Sequence, residues 1–391
     1  MLVFELFCVF GFLVCFVTFN IMQAILLRQN AKQVELAEIP DPHCQTGQVL
    51  VQALETGICG TDREMIQRQI VDVPDNQDYL VLGHEGLGKV VQAPAEQSGL
   101  NVGDLVVPIV RRSCGQCNAC KTGNVDYCYT GKYTERGIHR QDGFFSTYYA
   151  DWPSYLVKVP DELEDVAVLA EPLSVTVKAA QIADSLLRRV KFGGYFSQVG
   201  KRERALVAGH GAIGLLAMLL LLEQGFEVHV LGRRPTGDFQ RGLIEQSGVS
   251  YLDATANQAQ ELVRNEGGFL LILEATGLSE VTFQLAKYLG RNGTMVLTGV
   301  PRGPKTVQID GNTLMANIVR TNQAIIGSVN ACVGCFQKAL DYLGIFKKKY
   351  PNLMSRIITA RYLPQQFEEA FARKGRNDIK AVIDFRTDRR D

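Results

Sequence analysis

At 391 residues the chain is long enough for two domains, each burying a core of its own. Its 46% hydrophobic and 21% charged residues exclude a disordered chain, and 41 basic residues against 41 acidic ones leave no global field to recruit nucleic acid or an anionic membrane. Six of the ten cysteines (Cys8, Cys15, Cys44, Cys59, Cys332 and Cys335) are scattered, unlike the dense framework of a small secreted domain, so reduced thiols in a cytoplasmic setting are expected.

The first 19 residues carry one charge, Glu5, and so match the ~20 apolar residues of a membrane span. They lack the basic start and cleavage site of a secretory signal. Two readings stay open: residues 1–21 are an extension upstream of a start at Met22, or they anchor the chain. In the second case the absence of Lys or Arg before Arg28 puts the body on the cytoplasmic side.

From Met22 to about residue 160, short apolar or alternating runs broken by Gly and Pro predict strands, among them GQVLVQAL, GLGKVVQA, GDLVVPIV and SYLVKVP. The stretch from Pro160 to Leu187 reads as a helix with acidic residues in its first turn. After residue 204, strands (RALVAG, FEVHVLG, VSYLDA, FLLILEATG, GTMVLTGV) alternate with helices (HGAIGLLAMLLLLEQG, NQAQELVRNEG, SEVTFQLAKYLG), which predicts a parallel sheet. The closing KAVIDF reads as a strand that could return to the first domain. The expected organisation is a β-rich catalytic domain over 22–184, a Rossmann domain over 185–325, and a return to the catalytic domain over 326–391.

Between RALVAG and its helix, Gly209, Gly211 and Gly214 form G-x-G-x-x-G. The first permits the tight turn, the second admits a pyrophosphate to the backbone, and the third allows close helix–strand packing. The second strand ends in Gly232, Arg233 and Arg234, with no carboxylate for a ribose 2′-hydroxyl. Two guanidiniums suit a 2′-phosphate, so NADP is favoured and use of NAD stays open.

Residues 111–128 hold Cys114, Cys117, Cys120 and Cys128 as C-x2-C-x2-C-x7-C. Four thiolates can close tetrahedrally on one zinc and leave no substrate position, so this site would be structural; an iron–sulfur cluster and two disulfides are the alternatives. Cys59, His84, Glu85 and Glu171 form a sparser set with the ligand types of a catalytic zinc, although sequence spacing alone does not bring them together. CVGC at 332–335 is expected on a helix after Asn330 with both thiols packed, since no neighbouring basic residue lowers their pKa.

Together GICGTD, LGHE, the cysteine loop, GIHRQDGFFSTYY, YLVKVP, LAEPLS, GHGAIG, GRRPT, EATG, GRNGTMVLTGV and IIGSVN resemble, in the same order, the zinc-dependent medium-chain dehydrogenase/reductase superfamily. They most resemble its glucose 1-dehydrogenase branch, from Met22 to the C-terminus. The resemblance implies an α/β chain with a GroES-like catalytic domain, an inserted Rossmann domain, and a homodimer or homotetramer. It implies Cys59 and His84 as catalytic zinc ligands, Glu85 as ligand or close neighbour, and Glu171 reaching the metal directly or through water. Thr61 would sit near the reacting oxygen, and Glu135 and Asn330 would hold sugar hydroxyls, with His139 nearby. His210, Gly211, Ala212, Ile213, Arg233, Arg234, Thr298, Gly299, Val300, Ser328, Val329 and Asn330 match cofactor-binding stretches. Val110 and Val175 stand where members of the branch carry polar sugar contacts. The implied reaction moves a hydride from C1 of an aldose, glucose first, to NADP⁺ or NAD⁺. A polyol, threonine or alcohol dehydrogenase is the alternative on this scaffold, and a non-catalytic nucleotide-binding zinc protein the alternative of another class.

Overall fold

The computed structural model describes residues 4–9, 12–17, 21–29, 34–94, 99–189, 203–235, 237–301, 303–372, 375 and 377–386, with side chains from residue 21 onward. Of the apolar stretch before Met22, two short strands, Phe4–Val9 and Phe12–Val17, pair antiparallel as a separate two-stranded sheet. Among the described residues no helix is long and apolar enough to cross a membrane. The next strand, Ile21–Arg28, buries Ala24, Ile25, Leu26 and Leu27 almost completely.

The catalytic sheet runs in the order Leu156–Val159, Leu105–Pro108, Glu85–Gln92, Val49–Gly57, Lys380–Asp384, Ile358–Tyr362, with Tyr148–Asp151 also paired to Val49–Gly57. Val382 lies opposite Gly57 and Asp384 opposite Glu55, so the C-terminal strand closes the sheet begun some 330 residues earlier. That pairing makes Lys380 a neighbour of the site described below.

A second, all-parallel sheet lies between these two parts of the chain. Its order is Ser250–Asp253, Glu227–Gly232, Arg204–Ala208, Phe269–Glu274, Leu289–Leu297, Ala324–Gly327. In chain order this is 3-2-1-4-5-6, the doubly wound arrangement that binds dinucleotides where the order reverses. The helix Ala212–Glu223 that leaves its first strand is apolar nearly all round and accordingly buried. One core joins this helix to Ala170–Leu187, Val333–Lys349 and the edge of the catalytic sheet, so the two sheets share packed apolar surface.

The helix expected from residue 160 begins at Ala170, after separate 3-10 turns at Asp161–Leu163 and Ala167–Leu169. Pro172 explains the difference. It has no N–H to give to residue 168 and its ring opposes a carbonyl there, so it fits only in a first turn. The consequence is functional, because Glu171 then sits in that first turn. Several helices escaped the sequence reading, Gly60–Arg68 among them. Phe239–Gln246 is short, and Gly311–Arg320 has no buried residue to mark its inner face.

Candidate active site and metal centres

The GICGTD stretch turns from the end of the Val49–Gly57 strand into the helix Gly60–Arg68, with Cys59 as its N-cap. The Cys59 N–H donates to Asp62 Oδ2 at 2.7 Å, which fixes the turn. Positive partial charge at a helix start also favours a thiolate there. His84 and Glu85 enter from the neighbouring strand, whose Glu85 lies opposite Gly57. One donor atom each from Cys59, His84 and Glu85 lies within 4.8 Å of the others. His84 and Glu85 are 3% and 1% exposed, so this donor set is withdrawn from water.

The surroundings fit a cation. Asp62, wholly buried, places Oδ1 3.5 Å from His84 Nδ1, where a carboxylate can steady a metal-ligating imidazole. Burial opposes a charge on His84, but the negative charges of Asp62 and Cys59 overcome it and raise the imidazole well above its ordinary value. Burial, then the charge of Glu85, pushes the Glu171 carboxyl up to about 7. Such a surplus of negative charge favours a divalent ion. Glu171 is not one of the three clustered donors; it stands at the start of its helix, within electrostatic reach of Glu85, His84, Lys380 and Asp62. Thr61 Oγ1 accepts from Cys59 Sγ at 3.7 Å, so its hydroxyl borders the cluster.

Lys380 was not legible as a site residue. Its Nζ donates to Glu85 Oε1 at 2.7 Å and Oε2 at 2.5 Å, and to the carbonyl of Ile58 at 3.3 Å. The pair is buried on both sides, so each charge compensates the other.

The residues expected to touch sugar also meet. Glu135, on the strand Thr134–Arg136, accepts from Asn330 Nδ2 and from Arg111 Nε and Nη2 at 3.0 and 2.8 Å. Arg111 also donates to the Asp126 carbonyl at 2.9 Å, Asp126 pairs with Lys178 at 2.5 Å, and Lys178 donates to the Val329 carbonyl at 2.8 Å. This buried network ties the cysteine loop to Val329 and Asn330, and the sequence reading named none of Arg111, Asp126 and Lys178. His139 pairs with Asp72 at 2.6 Å, while its carbonyl accepts from the Glu135 N–H at 2.8 Å. Val110 is 2% exposed, and Val175 lies one turn along the helix from Glu171.

In the cysteine loop, all four donor sulfurs lie within 4.8 Å of one another, and Cys117 Sγ is 4.0 Å from Cys128 Sγ. A zinc tetrahedron with ~2.3 Å bonds has edges of about 3.8 Å, which these thiols fit. All four are free, as are the other described cysteines. The N–H groups of Cys117 and Cys120 point at the sulfurs of Cys114 and Cys117, each at 3.5 Å. Cys120→Ser is expected to remove one zinc per chain and about 3 kcal/mol of stability. Metal analysis and thermal unfolding check it, with dinucleotide affinity unchanged.

The nucleotide cradle follows its glycines. Gly209 has φ +109°, a conformation that favours glycine, while Gly211 caps the helix Ala212–Glu223 and faces open space where phosphate would approach. A Cβ at Gly214 would overlap the Gly209 carbonyl. At the end of the second strand Arg233 is exposed, and Arg234 Nε donates to His210 Nε2 at 2.9 Å. Burial, then Arg234, lowers His210 to about 4, so it is neutral at pH 7 and accepts that bond. Thr298 Oγ1 donates to the Glu274 carbonyl at 2.8 Å, and Gly299 follows it in the turn that leads to exposed Val300. Ser328 Oγ is buried without a protein partner, an orphan that a cofactor amide would satisfy. Val329 is 51% exposed beside it.

A doubly wound nucleotide sheet inserted into a β-rich domain, with a three-donor metal cluster and a four-cysteine loop, defines a zinc-dependent medium-chain dehydrogenase. Residues 45–161 match the alcohol dehydrogenase GroES-like domain, and residues 164–385 match the glucose dehydrogenase C-terminus. A glucose 1-dehydrogenase of Methanocella arvoryzae is 34% identical, over 93% of this chain and 99% of its own. One from Thermoproteus tenax is 36% identical, over 94% and 100%. The structure of Haloferax mediterranei glucose dehydrogenase in complex with NADP, zinc and gluconolactone superposes with a TM-score of 0.83, at 30% identity over 93% of this chain and 99% of that one. The chain belongs to the glucose dehydrogenase branch of that superfamily.

Proposed function

We propose that the chain is a zinc-dependent glucose 1-dehydrogenase: it oxidises C1 of D-glucose to the 1,5-lactone and reduces NADP⁺, or less readily NAD⁺, releasing one proton. The observation that carries the reading is the meeting of Glu135 and Asn330, 195 residues apart, in a domain that also presents Cys59, His84 and Glu85. Relatives named for this activity span nearly the whole chain, and the Haloferax protein holds NADP, zinc and gluconolactone on the same fold.

Cys59, His84 and Glu85 would hold the catalytic zinc, which supplies Lewis acidity that lowers the pKa of the C1 hydroxyl. Asp62 keeps His84 in its ligating orientation, and Lys380 holds Glu85 in place. Glu135 and Asn330 would accept from and donate to sugar hydroxyls and so hold the ring in one orientation for hydride transfer. Thr61 passes the hydroxyl proton outward, and Glu171 is a carboxyl able to hold a proton near neutrality. Cys114, Cys117, Cys120 and Cys128 would hold a second, structural zinc.

Arg233 and Arg234 would take the 2′-phosphate. Replacing both with alanine is expected to raise the KM for NADP⁺ about 10- to 100-fold, from the ~1.5–3 kcal/mol of a charged hydrogen bond, and to leave the KM for NAD⁺ nearly unchanged. Initial-rate measurements with both nucleotides check this.

We also place the enzyme in the cytoplasm, a setting that suits its many free thiols, and read it as a homo-oligomer. Ala324–Gly327 is an open edge of the nucleotide sheet, flanked by exposed Met315 and Val319 at 66% and 74%. A second copy pairing there would cover both. Light scattering is expected to give at least twice the 43.2 kDa of one chain, and Val319→Glu to halve that mass.

A further inference from the structure

Cys332 and Cys335 take part in neither metal cluster. Cys332 is the N-cap of the helix Val333–Lys349, and Cys335 lies in its first turn. Their sulfurs are 3.6 Å apart and both thiols are free. Cys335 is 2% exposed and also donates to Gln181 Oε1 at 3.4 Å, whereas Cys332 is only half-buried. Both thiols pack as expected, Cys335 inside the core and Cys332 against it, but Cys332 keeps part of its surface open. Upstream, only Ala331 separates Cys332 from Asn330, which has φ +57° and donates to Glu135. Val329 is held by its carbonyl to Lys178. The turn 328–331 is thus pinned between the polar network on one side and Cys332 on the other.

We propose that the Cys332–Cys335 dithiol is a thiol–disulfide site, and that closing it displaces the turn 328–331 and weakens sugar binding. The second half rests on the reading of Glu135 and Asn330 as sugar contacts. Residues three apart at a helix start bring their Cβ atoms to about 5–6 Å, close enough to bridge after a modest adjustment. A disulfide needs ~2.05 Å between sulfurs, so the two must approach by about 1.5 Å. Cys335 is anchored in the helix beside Phe336 and Ala339, which are buried at 1% and 0%. The movement falls on Cys332, which lies outside the helix and continues into the turn.

The chemistry is exchange with a small-molecule disulfide. The Cys332 thiolate attacks one sulfur of the oxidant, forming a mixed disulfide and expelling one thiolate. Cys335 loses its proton to solvent and attacks the Cys332 sulfur, expelling the second. The chain loses two hydrogens and the oxidant becomes two thiols. The Cys335 hydrogen bond, opposed by burial and helped by the Cys335 N–H, lowers Cys332, and the same bond raises Cys335. Asp126 opposes ionisation of both, with Lys178 paired to that carboxylate and Tyr127 alongside. A partly accessible attacking thiol and a buried resolving one are the arrangement that reversible oxidation needs.

The test equilibrates the zinc-loaded protein with oxidised and reduced glutathione, then alkylates free thiols and maps peptides by mass. Zinc content, the KM for glucose, and amide hydrogen exchange over 328–331 are measured in parallel. The expected result is an unalkylated 332–335 peptide two hydrogens lighter, unchanged zinc, faster exchange over 328–331, and a KM raised about threefold or more, all reversed by a dithiol. Cys332→Ser, a good N-cap residue, should keep basal activity and lose every response. Full alkylation of both thiols in excess oxidised glutathione overturns the site. A formed disulfide with exchange and KM unchanged overturns the coupling. Absence of glucose turnover in the reduced protein counts against the functional reading alone, because peptide mass and hydrogen exchange still decide both halves of this one.

Discussion

His84→Ala is expected to lower kcat/KM by about a thousandfold and to remove one zinc per chain, leaving the other in the cysteine loop. The imidazole is one of three clustered donors, and its loss leaves a thiolate and a carboxylate that Lys380 already occupies. Lewis-acid assistance contributes several kcal/mol, and each 1.36 kcal/mol is tenfold, so about 4 kcal/mol sets that magnitude. Asp62→Asn gives the graded control. It keeps all three donors but removes the carboxylate 3.5 Å from His84 Nδ1, so a 10- to 100-fold loss of zinc affinity is expected. Zinc titration with a competing chelator, alongside initial rates, orders the two variants. NADP⁺ affinity should stay constant in both, because the nucleotide cradle is built on a different sheet.

Lys380→Met is expected to destabilise the zinc-free protein by about 3 kcal/mol, since removing one partner of a buried ion pair strands the other. Glu85 is 1% exposed and has both oxygens on Lys380. Burial opposes the charge on Lys380, but Glu85 and then Cys59 raise its pKa above the ordinary value. A cation with a raised folded pKa stabilises the protein fully below its unfolded pKa of about 10.5, and that stability disappears as pH rises through the folded value. The alkaline limb of the stability profile should therefore flatten in Lys380→Met. Glu85→Gln with Lys380→Met should recover part of the loss, because neither charge is then stranded. Equal destabilisation by the double and single variants would mean the pair is not coupled.

What the sequence disclosed was local. Gly209, Gly211 and Gly214 act through one turn, and Cys114 to Cys128 act within one loop, so their chemistry is written in spacing. Cys59 and Asp62 also lie on one turn, yet Asp62 passed unnoticed: nothing in the GTD triplet says that its carboxylate faces His84 from another strand. Lys380 lies 295 residues from Glu85 and becomes its partner only when the last strand pairs beside Val49–Gly57. A lysine opening an otherwise apolar strand was the available signal. Arg111, Asp126 and Lys178 are likewise buried charges from three separate segments, visible only once the folded chain forces them to pair. Pro172 was a signal misread, since it fixes where the helix bearing Glu171 begins. Gly311–Arg320 gave little signal because none of its residues is fully buried within the chain, and only Leu314 packs against the core.

The most direct test of the central reading is nucleotide reduction by zinc-loaded protein across glucose, galactose, xylose, sorbitol, threonine and ethanol, with a chelator control and identification of the product. The expected result is chelator-sensitive NADPH formation with an aldose, glucose foremost, and a lactone as product. Turnover only with sorbitol, threonine or ethanol would contradict the sugar assignment while leaving the metal roles standing, and silence from folded, zinc-loaded protein would contradict the enzyme.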